Sequence, residues 1–145
     1  MNKQDLKKFF EDTLSIKHIT FKDGGTYTYQ ENRPAIFCKD GEWVSVQGSE
    51  SHYSRPRMNN CTSYFRVEAG YPSVIPPESW FGYAESYGQD KPIDYTKVIY
   101  PYILTSLILE FVNAHGGIDE SVYMKDADGI LRCVLHWQYD RRKFK

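Results

Sequence analysis

Long hydrophobic runs are missing from this sequence. Its most apolar stretch, KVIYPYILTSLILEF (Lys97 to Phe111), carries twelve uncharged residues between Lys97 and Glu110. As a helix these would reach about 18 Å, against about 30 Å of bilayer hydrocarbon. Pro101 also interrupts them. The stretch is therefore read as part of a core, not as a membrane span. The first residues, MNKQDLKKFFEDT, hold acidic residues and lack an apolar segment of signal-peptide length, so they do not read as a signal peptide. A cytoplasmic location is expected. Asn60-Cys61-Thr62 fits a glycosylation pattern, which carries no weight without secretion.

Cysteine is scarce. Cys38, Cys61 and Cys133 are odd in number and far apart, which fits neither a disulfide framework nor a zinc site. They read as reduced, buried thiols. A charge excess is also lacking, with 18 Lys+Arg against 19 Asp+Glu and a net charge of −1. No global field draws the chain to nucleic acid or anionic lipid.

Motifs of catalysis and ligation are absent as well. His18, His52, His115 and His136 stand at no metal-ligand spacing. Lys22-Asp23-Gly24-Gly25-Thr26 precedes no helix, so it is not a phosphate loop. Asp126-Ala127-Asp128-Gly129 is followed by ILRCVLHW, which supplies strand residues and no further oxygen ligands. It reads as a hairpin turn. Cys133 and His136, three apart on a strand, face opposite ways. No catalytic residue, metal or cofactor is assigned.

What is present is an ordinary globular composition with one oddity. The 145 residues are 41% hydrophobic and 26% charged, but 16% aromatic, including 12 Tyr. This length suits one domain, residues 1–145.

Leu6, Phe9, Phe10 and Leu14 recur at helical spacing behind a capping Asn2. They predict an N-terminal amphipathic helix. Strands follow in KHITFKD and TYTYQ, with Ile19 and Phe21 on one side and Tyr27 and Tyr29 on one side. AIFCKDGEWVSV predicts two strands around Asp40-Gly41. Residues 47–60 read as a loop and CTSYFRVEAG as a strand. The Pro-rich segment from Tyr71 to Pro92 reads as irregular.

Pro101 fits the first turn of a helix. The spacing therefore predicts a helix from about Tyr100 to Ala114, stopped by Gly116-Gly117. Leu104, Ile108 and Phe111 share its face and are expected to be almost fully buried. A closing hairpin turns at Ala127-Asp128-Gly129, with Leu131, Cys133, Leu135, Trp137 and Tyr139 on one face.

The fold class expected is α+β, an antiparallel sheet of about six or seven strands on the N-terminal helix and the late, very apolar helix.

Two segments suggest binding. Trp80, Phe81, Tyr83 and Tyr87 crowd into eight residues of irregular chain. They act either as a lid folded on the core or as an interface hot spot. Arg55 and Arg57 lie beside His52 and Tyr53 in a loop, where arginine and aromatics can clamp phosphates or stack on bases.

The leading expectation is a small non-enzymatic protein that binds another protein, as an immunity protein or a phage-encoded inhibitor does. It would use Trp80, Phe81, Tyr83 and Tyr87 with Arg55 and Arg57, and is compatible with self-association. A second reading is single-stranded nucleic-acid binding through Tyr27, Tyr29 or Tyr64 with Arg66, against which the neutral charge argues. A third is a ligand or enzymatic pocket between the apolar helix and the sheet, with His115, His136 or Cys133 as its polar groups.

Overall fold

The computed structural model describes residues 1–85 and 92–135. It is a mixed α+β fold with antiparallel sheets. Helix α1 (Lys3–Asp12) starts at a capping box: the Asn2 side chain accepts from the Asp5 N–H, and the Asp5 carboxylate accepts from the Asn2 N–H. Leu6, Phe9 and Phe10 form its buried face.

Strands β1 (Ile16–Thr20) and β2 (Thr26–Gln30) make a separate two-stranded ribbon. Strands β3 (Ile36–Phe37), β4 (Trp43–Gln47), β5 (Arg66–Gly70) and β6 (Ile99–Leu104) form the central sheet in that order. Helix α2 (Thr105–Ala114) follows β6 directly. Strands β7 (Tyr123–Lys125) and β8 (Leu131–Cys133) form a terminal hairpin.

One apolar core joins these parts. Phe10 from α1, Ile36, Val44, Val46 and Val67 from the sheet, Tyr100 and Ile103 from β6, and Ile108, Phe111 and Val112 from α2 are all buried. Tyr123 ties the terminal hairpin to β3. Its hydroxyl donates to the Ala35 carbonyl at 2.6 Å and accepts from the Phe37 N–H at 2.8 Å.

The late helix begins five residues after the expected Tyr100. Pro101 lies in β6, an edge strand, where a missing N–H is tolerated. The β5–β6 register shifts between Val67 and Ala69, so Pro101 and Tyr102 stand opposite Glu68 alone. This is a bulge, and Tyr102 takes a left-handed backbone (φ +55°) within it.

Helix α2 ends as expected, at Gly116 and Gly117 with positive φ; the Gly117 N–H donates to the Val112 carbonyl. Ile108 and Phe111 are buried, but Leu104, at the strand–helix junction, is half-buried, which corrects the expected full burial. Strand β5 also begins later than expected, because residues 61–65 are loop. The continuation of the last strand through Trp137 and Tyr139 lies outside the described residues.

Candidate interaction surfaces

The aromatic segment Glu78–Tyr83 is a short 3₁₀ helix. Trp80 is 0% exposed, packed edge-on against Tyr100 and tilted against Phe111. Its place among exposed contacts is corrected: an indole buries a large apolar area when it closes a core, and Trp80 plugs this one. Phe81 stacks on Tyr95 at 3.8 Å and Tyr83 is half-buried. Tyr87 lies outside the described residues.

Arg55 and Arg57, by contrast, are exposed and belong to a surface patch. Arg55 lies over the Tyr102 ring at 4.2 Å and Arg57 over the Tyr53 ring at 4.9 Å. Those two rings stand 5.6 Å apart. Arg66 reaches over Phe65 at 5.8 Å, and Phe65 is 60% exposed. The guanidiniums donate to the carbonyls of Ser54, Glu50 and Tyr102 respectively. Among the described residues none of the three is within ion-pair distance of a carboxylate.

Glu68 is an acid beside this patch; its carboxylate accepts from the Tyr53 N–H. Burial pushes the Glu68 carboxyl up; Glu85 adds to this, while the Tyr53 N–H and Arg57 pull it down.

Buried Arg33 holds the loop that carries this patch. It donates to the carbonyls of Phe10, Gly48 and Cys61 and lies over the Phe10 ring at 5.0 Å. A Cβ at Gly48 would fall 2.5 Å from the Tyr64 ring, so a larger residue there would displace that ring.

A second surface is the β1–β2 ribbon. Lys17 pairs with Tyr29 and Ile19 with Tyr27, while Phe21 meets Gly25. Cross-strand partners share a face. One face therefore carries Lys17, Ile19, Phe21, Tyr27 and Tyr29, and the other carries His18, Thr20, Thr26 and Thr28. The apolar face is turned to solvent: Phe21 and Tyr27 are each 53% exposed and Ile19 42%. The Tyr27 and Tyr29 rings stack at 5.9 Å.

The sequence pattern identified the alternation but not its exposure. An apolar strand face looks the same whether a core or a partner covers it. Phe65 and Tyr102 were likewise missed, because both sit where a strand or helix interior was expected.

Open clefts mark the surface of the described residues, two of them near α1. One, of about 750 Å³, runs between α1, Gly116–Ile118 and the terminal hairpin. The other, of about 400 Å³, lies between Lys3, Lys7 and Phe10 of α1 and the loop residues Tyr64 and Phe65. Neither follows the expected line between α2 and the sheet, where Ile108, Phe111 and Val112 are buried. His115 pairs with Asp40 at 2.6 Å. Burial pushes the Cys38 thiol up to about 12, helped by Asp40 and Glu42, and burial raises Cys133 as well. Both are poor nucleophiles, because the thiolate is the reactive form. His136 lies outside the described residues. No group of His, Cys, Asp or Glu among the described residues could hold a metal ion, and no described helix is long and apolar enough to cross a membrane.

No family model, curated protein or solved structure matches the chain.

Proposed function

We propose that this chain is a small non-enzymatic protein-binding protein, acting on a protein partner in the manner of an immunity protein or a phage-encoded inhibitor. The β1–β2 ribbon is its docking arm. The exposed face of Ile19, Phe21 and Tyr27 carries this reading. Contiguous apolar surface of this kind, rimmed by polar residues, is a hallmark of an interaction site. A two-stranded ribbon is only marginally stable by itself, so a cover over its apolar face would also stabilise the arm.

A photo-crosslinking residue at Tyr27 should capture one discrete partner protein, and excess wild-type chain should compete it away. The same residue at Thr28, on the polar face, should capture little. The double change Phe21→Ser plus Tyr27→Ser should leave the melting temperature near wild type and abolish capture. Equal labelling from positions 27 and 28 would remove the ribbon as the docking arm.

A further inference from the structure

The arginine–aromatic patch lies on the loop, β5 and β6, apart from the ribbon, and the docking arm does not explain it. Exposed Arg55 and Arg57 and half-buried Arg66 sit beside one another with no carboxylate within ion-pair distance among the described residues, Glu68 being an acid close enough to feel Arg57. Each lies over an aromatic ring. This arrangement limits the freedom of a long side chain before any ligand arrives. Each guanidinium has five N–H donors in a planar fork. One carbonyl bond apiece leaves donors available to an anion.

A charge cluster of this kind in a chain of net charge −1 is a local feature. It does not follow from composition.

The rings set the class of anion. Phe65 is 60% and Tyr53 39% exposed, so the patch alternates free cationic edges with accessible apolar rings. A carboxylate-rich protein surface would use the guanidiniums and leave the rings idle. A nucleic-acid strand with unpaired bases uses both, phosphates on the forks and bases on the rings. Phe65 also borders the smaller cleft, whose α1 wall supplies Lys3 and Lys7, the latter ion-paired with Glu11 at 3.7 Å. Lys3 therefore extends the cationic surface past the patch.

We propose that Arg55, Arg57 and Arg66 with Tyr53, Phe65 and Tyr102 form a binding site for single-stranded nucleic acid. The guanidiniums take backbone phosphates and Phe65 takes a base. The residues differ from the tyrosines that the sequence pointed to: Tyr64 is committed to the Gly48 and Cys61 carbonyls, and Tyr27 and Tyr29 stack on each other.

The test is fluorescence anisotropy of the full chain with a labelled oligothymidylate of about 12 nucleotides. Saturable binding should weaken with salt at a log–log slope of about −2, or about −0.7 for each of three phosphates. Arg57→Gln should flatten that slope to about −1.4. Phe65→Ala should weaken binding at least about fivefold with the slope unchanged, and Phe65→Trp should restore it. Both changes fall on exposed side chains, and circular dichroism would confirm the fold.

The proposal is overturned by half-saturation weaker than about 0.1 mM at low salt. It is also overturned if polyglutamate displaces the strand as well as unlabelled oligothymidylate does, which would mark the patch as a reader of acidic protein. Equal competition by duplex DNA together with an unaffected Phe65→Ala variant overturns it too, leaving a non-specific cationic surface.

Discussion

Arg33 shows how one buried cation can organise a surface without a counter-charge. Burial lowers its pKa, yet a guanidinium starts so high that it stays protonated. Carbonyls of α1 and of both ends of the 48–61 loop converge on it. Removing it would free several buried acceptors at once, which costs more than the bonds are worth singly.

Asp126 plays a comparable part in the terminal hairpin. Its carboxylate accepts from the Asp128 and Ile130 N–H groups and from Arg132 Nε. The Arg132 bond, followed by the Ile130 N–H, holds its pKa below the usual carboxylate range. A depressed folded pKa means that the stabilisation is present at neutral pH and is lost as pH falls through the carboxylate range. Asp126→Asn should therefore melt below wild type at pH 7, and the gap should begin to narrow below about pH 4 and close only below the depressed folded pKa. Melts at both pH values check this; an equal gap at each would show that the charge plays no part.

At the scale of elements, the helix after β6 is the test of the core. Ile108 is fully buried, Leu104 half-buried and Glu110 exposed. Ile108→Ala should cost about 2–5 kcal/mol. Leu104→Ala should cost distinctly less, and Glu110→Ala should change stability by under about 0.5 kcal/mol. Urea melts of the three variants give the ranking; equal midpoints would show that α2 is not a core element.

Local chemistry made several elements readable from the residues alone. Asn2 with Asp5 defines the start of α1, Asp40-Gly41 and Asp128-Gly129 define two turns, and Gly116-Gly117 ends α2. The β6–α2 boundary was not readable. Pro101 suits the first turn of a helix as well as an edge strand, and the choice depends on pairing with β5, more than thirty residues away in the chain. The candidate sites were only partly readable for a related reason. Arg55 and Arg57 were found from the loop composition. Burial of Trp80 and exposure of Phe65 depend on which elements come to lie above them.

For the molecule as a whole, the hydroxyl of Tyr123 joins segments separated by 86 and 88 positions. Contacts this distant require closing a long loop before they contribute. Nearer pairings such as β1–β2 and β3–β4 involve less chain. The clamp should therefore close after the main folding barrier and act as a brake on opening. Tyr123→Phe keeps the ring and removes the two bonds, leaving a buried N–H and a buried carbonyl unsatisfied at a cost of about 1–3 kcal/mol. Nearly all of that loss should appear as faster unfolding, with the refolding rate unchanged. Stopped-flow measurements across a urea series would read the two limbs separately. A slowed refolding limb would place this contact in the transition state; a raised unfolding limb alone would make a single phenol hydroxyl the determinant of how long the folded chain persists.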